Sequence, residues 1–262
     1  MDKNDFYLNR ALEKLKKEGF NVAAIFLQGS QNYDIDVYDR NYQSDFDFKA
    51  FVYPAFENLF YGKTINKTIE EEYGQIVIKD LRDFPKLILK ANPTYVELFY
   101  SKAHFGELDD FIKSNQAILS EVKGNFFNAT VGTFNQKTKE VFRERPGNLD
   151  SFKRFGYDNK SFSHALRYLI ILKKFIAFTE SGKENYVDLF RLSDADKDKV
   201  LEYKTATHTK DFVQKELDKM TLEVNEIVSE KKFNYPKREE KQPRFDDLEK
   251  KVFELVKNNI SK

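Results

Sequence analysis

The chain has 262 residues, and its 44 lysines and arginines nearly balance its 43 aspartates and glutamates, for a formal net charge of +1. This balance excludes a nucleic-acid binder that works by bulk positive charge alone, although it leaves room for a local basic groove. An aromatic content of 15% excludes a largely disordered chain, and the absence of cysteine excludes disulfides and thiolate chemistry.

The first part of the chain combines helix and strand. An apolar stripe at helical spacing predicts a helix over residues 5–18, and the continuous apolar run Val22–Leu27 predicts a buried strand. Residues 45–52 alternate polar and apolar side chains, which predicts a half-buried strand. Its solvent-facing side would carry the carboxylates of Asp45 and Asp47.

The following residues are expected to be irregular until the strand Gln75–Lys79, after which helices are predicted over 81–90 and 94–100. From about residue 109 every periodic segment has helical spacing, and these segments are 112–122, 127–142, 160–179, 194–204, 210–230 and 245–259. The predicted fold class is therefore α+β, with a small mixed-sheet core over residues 1–108 and a helical domain over residues 109–262.

Membrane insertion is not expected. The longest apolar runs, Val22–Leu27 and Tyr168–Leu172, are far shorter than the roughly 20 residues that span a bilayer. The N-terminal residues also lack the apolar stretch of a signal peptide. The sequence thus predicts a soluble, cytoplasmic protein with no membrane partner.

Two short motifs suggest phosphate chemistry. Asp45 and Asp47 alternate on one strand face, about 6.5–7 Å apart at the backbone, and hard divalent cations such as Mg²⁺ prefer oxygen ligands. The turn Gly29-Ser30 offers a close backbone approach and a hydroxyl to a phosphate. Either motif alone is ordinary, but together and in this order they suit phosphoryl transfer.

This order of motifs resembles the nucleotidyltransferase superfamily of DNA polymerase β, whose members carry Gly-Ser or Gly-Gly after the first strand and Asp-x-Asp on the next. Further segments resemble a subgroup of predicted bacterial and phage nucleotidyltransferases that includes RNA-repair-associated members. These segments are 29–33, 44–47, 80–84, 90–93, 97–98 and 156–158, with Lys160, His164 and Arg167. The resemblance spans roughly residues 20–205.

The resemblance implies transfer of a nucleoside monophosphate from a nucleoside triphosphate, ribo or deoxyribo, to a hydroxyl group, with release of pyrophosphate. Ser30 would contact the triphosphate, and Asp45 and Asp47 would bind two Mg²⁺ ions, with Mn²⁺ as an alternative. Where the subgroup has glycine after Tyr33, this chain has Asp34, so the turn there must tolerate an aspartate.

The superfamily normally adds a third carboxylate on the next strand, and the position that aligns with it here is Gln75. Glutamine can coordinate through its carbonyl oxygen, but it brings no charge and cannot act as a base. Glu71, Glu72 and Asp80 are the alternatives. On strict alternation, Glu71 lies on the Gln75 face, and Glu72 and Asp80 lie on the other.

Lys160, His164 and Arg167 follow one another at i, i+4 and i+7, so they share one helix face. A nucleotide between the two domains would receive its triphosphate charge from Lys160 and Arg167. The alternative is an ordinary solvated face that contains a histidine with local partners.

The acceptor stays open between a nucleic-acid end, a protein side chain and a small molecule, and template-independent oligonucleotide synthesis is one variant. The neutral Gln75 keeps a second reading open, in which the same scaffold binds a nucleotide as a regulatory protein without turning it over. A third reading is an interaction module whose helical half binds a protein.

Overall fold

The structure is a computed structural model that describes residues 2–38, 43–114, 116–182, 188–231 and 243–260. The chain forms two compact units, of which the first comprises Met1–Val122 with Lys237–Lys262 and the second Lys123–Pro236. This division differs from the expected boundary at residue 108, because residues 109–122 and the last helix both belong to the first unit.

The first unit is built on a mixed sheet. Its strands are β1 (Val22–Gln28), β2 (Asp47–Val52), β3 (Asn66–Glu71), β4 (Gly74–Asp80) and β5 (His104–Gly106). Its helices are α1 (Lys3–Lys17), α2 (Ser30–Tyr33), α3 (Phe56–Phe60), α4 (Phe84–Leu89), α5 (Pro93–Val96) and α6 (Asp109–Ser114). The 3₁₀ turns cover Leu81–Asp83, Glu97–Tyr100 and Gln116–Val122. The C-terminal helix of this unit, α12, is described below.

Across the described residues the sheet order is β3-β4-β2-β1-β5. β2 runs parallel to β4, whereas the β1–β2, β1–β5 and β3–β4 pairs are antiparallel. A mixed sheet followed by helices confirms the predicted α+β class.

Each face of the sheet is covered. On one face, here called the α1 face, Phe48, Ala50 and Val52 of β2 pack in a core with the apolar stripe of α1. On the opposite face, here called the α12 face, Phe51 packs with α4 and the C-terminal helix. The prediction of a half-buried β2 is therefore wrong along most of the strand, and only its first residue, Asp47, is partly exposed.

The C-terminal helix in the first unit, α12 (Pro243–Ile260), explains the different domain boundary. Its stripe of buried residues joins the core that contains Phe26 and Phe84 of the sheet unit. That stripe comprises Phe245, Leu248, Val252, Leu255 and Val256. Burying such a stripe removes much apolar area from water, and the nearest apolar surface here belongs to the sheet.

The segment after Pro54, expected to be irregular, contains α3 and β3. Neither gives a clear sequence signal, because α3 buries no residue and β3 buries only Ile69. The three-residue β5 is too short to show a period, and the sequence analysis missed it for that reason.

The second unit is helical over its described residues. It contains α7 (Lys123–Val141), α8 (Leu149–Phe155), α9 (Asn159–Glu180), α10 (Asp194–Thr205) and α11 (Lys210–Glu230), with a 3₁₀ turn at Pro146–Asn148. Four of these helices match the predicted segments, whereas α8 was missed because it is only seven residues long and buries none of them. Among the described residues, no helix is long and apolar enough to cross a lipid bilayer.

Gly74 lets β4 begin directly beside the chain that leads into β2. Its φ is +145°, and a Cβ there would lie 2.5 Å from the carbonyl oxygen of Phe46. Gly74→Ala is therefore expected to lower the free energy of unfolding by about 3 kcal/mol, measured by urea denaturation. The matched control is Gly132→Ala in α7, where a Cβ meets nothing within 4 Å and helix propensity favours alanine. An equal effect of both substitutions would contradict the steric argument.

Candidate active site

The Gly29-Ser30 turn lies directly against the first carboxylate of β2. β1 ends at Gln28, which pairs with Asp47 across the antiparallel ladder. Gly29 has a left-handed φ of +78°, and a Cβ on it would lie 3.4 Å from Oδ2 of Asp47. The bare backbone at Gly29 therefore leaves the space beside this carboxylate open.

Ser30 is the first residue of α2 and is half-buried. Among the described residues, none hydrogen-bonds its hydroxyl. The hydroxyl is thus available at the edge of the site as a hydrogen-bond partner for a ligand, as a phosphate-contacting serine requires.

The short helix α2 is held in place by side chains from the segment that precedes β5. The hydroxyl of Tyr33 donates to the buried carboxylate of Glu97, and Oδ1 of Asn32 accepts from the backbone N–H of Lys102 at 2.9 Å. Asp34 ends the helix with a φ of +56°, and its carboxylate pairs with the Lys102 ammonium. The expected tolerance for aspartate in this turn is confirmed.

Asp45 and Asp47 project from the chain on the same side. Phe46, between them, is buried in the core of the α1 face, so its two neighbours project away from that face. Asp45 is exposed and lies just before β2, whereas Asp47 is half-buried at the first position of the strand. The Asp47 carboxylate therefore borders the space beside Gly29, and the Asp45 carboxylate projects on the same side of the chain.

Gln75 lies beside Asp47. The backbone N–H of Gln75 donates to Oδ1 of Asp47 at 3.3 Å. In the parallel β2–β4 pair, the next residues along the two strands, Phe48 and Ile76, lie opposite each other. Ile76 packs into the α1 face, so Gln75 shares the α12 face with Asp47. The position that aligns with the missing carboxylate is thus adjacent to Asp47, although its side chain is neutral.

The three alternative acids are engaged elsewhere. Glu71 lies 3.2 Å from the ammonium of Lys14 on α1, and Glu72 lies 2.6 Å from the guanidinium of Arg10. Asp80 is fully buried and caps the next turn, where it pairs with a guanidinium at 2.8 Å.

The prediction that Glu71 shares the Gln75 face is wrong. A hairpin reverses the chain between β3 and β4, so Glu71 pairs with Gly74 and faces α1. Strict alternation fails at a hairpin because the turn breaks the extended chain.

The same register identifies an acid that the sequence analysis did not consider. Glu70 on β3 is the direct cross-strand partner of Gln75, so both side chains lie on the α12 face. Glu70 is exposed, and no described residue forms a hydrogen bond or ion pair with it. The signal that could have found it is weak, because the two turn residues, Glu72 and Tyr73, are not the Asn-Gly or Asp-Gly pair that marks most tight hairpins.

A buried lysine lies one step deeper on the same face of β2. Lys49 is only 6% exposed, its Nζ donates to the carbonyl oxygen of Thr94, and its ammonium lies 4.1 Å from the ring centroid of Tyr95. Burial, with a smaller contribution from a neighbouring lysine, lowers the pKa of Lys49 to about 8, while Glu97 and Asp47 oppose the shift. Lys49 therefore stays mostly charged at pH 7 and places a cation behind the carboxylates.

The second predicted cluster lies on α9 in the second unit, where Lys160 is exposed, His164 half-buried and Arg167 buried. Burial, followed by the charges of Arg167 and Lys160 and of Lys137 and Lys204 on the flanking helices, keeps the pKa of His164 well below its usual range. His164 is therefore neutral at pH 7. The alternative of an ordinary solvated face fits Lys160 but not the buried Arg167.

Over the described ranges, no three histidine, aspartate or glutamate side chains lie close enough together to share a metal ion. Magnesium commonly binds through one or two carboxylates together with substrate phosphates and water. Asp45, Asp47 and the amide oxygen of Gln75 supply that type of donor set. The residues present therefore fit a magnesium ion that arrives with a phosphate ligand.

Comparison with known proteins gives limited information. No protein-family model matches the chain, and no curated protein matches it either. Among solved structures, a nucleotidyltransferase-like protein from Exiguobacterium sibiricum is similar to the chain, with 13% sequence identity over 97% of this chain and 91% of that one. A TM-score of 0.28 is too low to establish a shared fold, so the proposed function rests on the residues of the site.

Proposed function

We propose that the protein is a metal-dependent nucleotidyltransferase that moves a nucleoside monophosphate from a nucleoside triphosphate to a hydroxyl acceptor. The observation that carries the proposal is the position of the Asp47 carboxylate: its Oδ2 lies 3.4 Å from where a Cβ on Gly29 would stand, and its Oδ1 accepts from the backbone of Gln75. Asp45 projects on the same side of the chain two residues earlier. A phosphate approaching this turn meets a hydroxyl and a metal-binding carboxylate within one small space.

In the proposed reaction, the acceptor oxygen attacks the α-phosphorus and forms a new oxygen–phosphorus bond. The bond from that phosphorus to the bridging oxygen breaks, pyrophosphate leaves with the electron pair, and the hydroxyl proton passes to solvent. Ser30 donates a hydrogen bond to the phosphates, and Asp45, Asp47 and Gln75 hold Mg²⁺ or Mn²⁺. The bound ion would polarise the phosphates and lower the pKa of the attacking hydroxyl.

Lys49 supports the proposal electrostatically. Its ammonium is held in place by the Thr94 carbonyl and the Tyr95 ring, so it stays near Asp47 without entering the open space beside Gly29. A fixed cation behind two carboxylates offsets part of their mutual repulsion while the site holds no metal. Within the second unit, we propose Lys160 and Arg167 as phosphate-binding residues, with the neutral His164 as a hydrogen-bond partner.

The test is incubation of the protein with each labelled nucleoside triphosphate in the presence of Mg²⁺ or Mn²⁺. Release of pyrophosphate together with a labelled product supports transfer. RNA ends, DNA ends, protein and small alcohols are supplied in turn as acceptors. Absence of release with every nucleotide and acceptor would sink the assignment as an enzyme.

The second candidate is a nucleotide-binding regulatory protein on the same scaffold, and the neutral Gln75 favours it. With only two carboxylates beside the turn, the site can bind a nucleotide and its metal without activating a hydroxyl. Saturable nucleotide binding without pyrophosphate release distinguishes this candidate from the enzyme.

Glu70 gives a specific test of how the site is completed. Glu70→Gln is expected to weaken Mn²⁺ binding in the presence of a nucleoside triphosphate about tenfold, because it removes the acid that lies opposite Gln75 across the β3–β4 ladder. The readout is Mn²⁺ affinity by calorimetry. Glu71→Gln is the matched control, since it makes the same change one residue along on the opposite face. Equal affinities for both variants would exclude Glu70 from the site.

A further inference from the structure

A pocket of about 630 Å³ lies in the first unit, away from the candidate active site. It is formed by α12 together with the end of α3 and the start of α4, and its residues are Leu59, Arg82, Pro85, Lys86, Glu249, Val252, Phe253, Val256, Lys257 and Ile260. Gln75 lies near the start of β4 and Asp80 is its last residue. The extended chain between these two residues covers about 16 Å. The pocket adjoins the Asp80 end, and the candidate active site adjoins the Gln75 end.

The pocket wall contributed by α12 is more apolar than its packing in the core requires. Val252 and Val256 already belong to the core, yet Phe253 is 63% exposed and Ile260 is 44% exposed on the pocket side. These four residues recur at helical spacing, so they form one continuous stripe along the helix. Large exposed apolar side chains that border a concave space are typical of a ligand site.

The polar residues around the pocket are predominantly basic. The guanidinium of Arg82 is already neutralised by the buried Asp80. Lys86 on α4 is exposed, and no described residue forms a hydrogen bond or ion pair with it. Lys257 on α12 lies 3.6 Å from Glu254 in an exposed pair, which water screens strongly. Glu249 is the one acid that borders the pocket among the described residues.

We propose that this pocket binds an anionic amphiphile, a molecule with an aliphatic chain and a terminal carboxylate. The chain lies against Phe253, Val256 and Ile260, and the carboxylate faces Lys86 and Lys257. The volume falls within the range of about 300–1,000 Å³ that is typical of small-molecule sites. This proposal does not depend on nucleotidyl transfer.

Dodecanoate is the probe, titrated into the 262-residue chain by calorimetry below its micellar concentration. Dodecyltrimethylammonium is the comparison cation of equal chain length. Saturable binding of dodecanoate is expected, at least tenfold tighter than binding of the cation. Lys86→Glu with Lys257→Glu is expected to weaken dodecanoate binding about tenfold and to favour the cation, since two attractive charges become repulsive.

Phe253→Asp tests the apolar wall and is also expected to weaken dodecanoate binding about tenfold. Its matched control is Phe56→Asp, which changes a similarly exposed phenylalanine of α3 that does not line the pocket. Lys250→Glu serves as the charge control on α12, because Lys250 is exposed and outside the pocket. Absence of dodecanoate binding, equal affinity for both amphiphiles, or equal effects of the test and control variants would each overturn the proposal.

Discussion

Asp45→Asn combined with Asp47→Asn is expected to abolish nucleotidyl transfer, with a loss of at least about a thousandfold in the rate of pyrophosphate release. The Asp47 carboxylate borders the space beside Gly29, and Asp45 projects on the same side of the chain. An asparagine at either position removes a negative charge that would attract the divalent cation. Folding should survive, because Asp45 is exposed and an asparagine at position 47 can still accept the hydrogen bond from Gln75.

The control for this double variant is Glu13→Gln, an exposed acid on α1 that lies far from the motif in sequence. Its rate should match that of the wild type, and the circular dichroism spectra of all three proteins should coincide. Retained transfer in a folded double variant would show that the chemistry takes place without the Asp-x-Asp motif.

Gln75→Asp is expected to raise the transfer rate and the Mn²⁺ affinity about tenfold or more. The backbone of residue 75 already contacts Asp47, and its side chain shares the face of that carboxylate, so an aspartate there adds a negative oxygen donor beside the other two. Gln75→Asn is the matched control, since it has the same side-chain length as aspartate without the charge.

Combining Gln75→Asp with Glu70→Gln separates two explanations of the neutral glutamine. If Glu70 completes the site across the β3–β4 ladder, the aspartate at position 75 should restore the metal affinity that Glu70→Gln removes. If the protein is a regulatory nucleotide binder, Gln75→Asp should tighten metal binding without starting pyrophosphate release. If Gln75→Asp raises neither the metal affinity nor the rate of pyrophosphate release, position 75 is excluded as a metal ligand.

Much of the fold could be predicted because its elements carry strong local signals. The long amphipathic helices have the periodicity that burial of one face requires, and β1 has the continuous apolar run that burial of both strand faces requires. The elements that were missed, α3, β3, β5 and α8, bury almost nothing or are very short. A short element with few buried positions repeats its apolar pattern too few times to be identified from sequence.

The candidate site was predictable only where its residues are close in sequence. The motifs Gly29-Ser30 and Asp45-x-Asp47 could be identified because each is a contiguous pattern with its own chemistry. Lys49 could not, because its burial depends on contacts with Thr94 and Tyr95, and neither is near it along the chain. The face of Glu71 was predicted incorrectly, because the hairpin that decides it was not identified.

The near balance of 44 basic and 43 acidic residues was determined by the sequence alone, as were the α+β class and the two motifs that point to phosphate chemistry. Only the tertiary structure decided which acids share a face with Gln75, which helix closes the core of the sheet, and which lysine is buried behind Asp47. The reason is physical: period and composition are local properties of a chain, whereas strand register and burial depend on residues that meet only after folding.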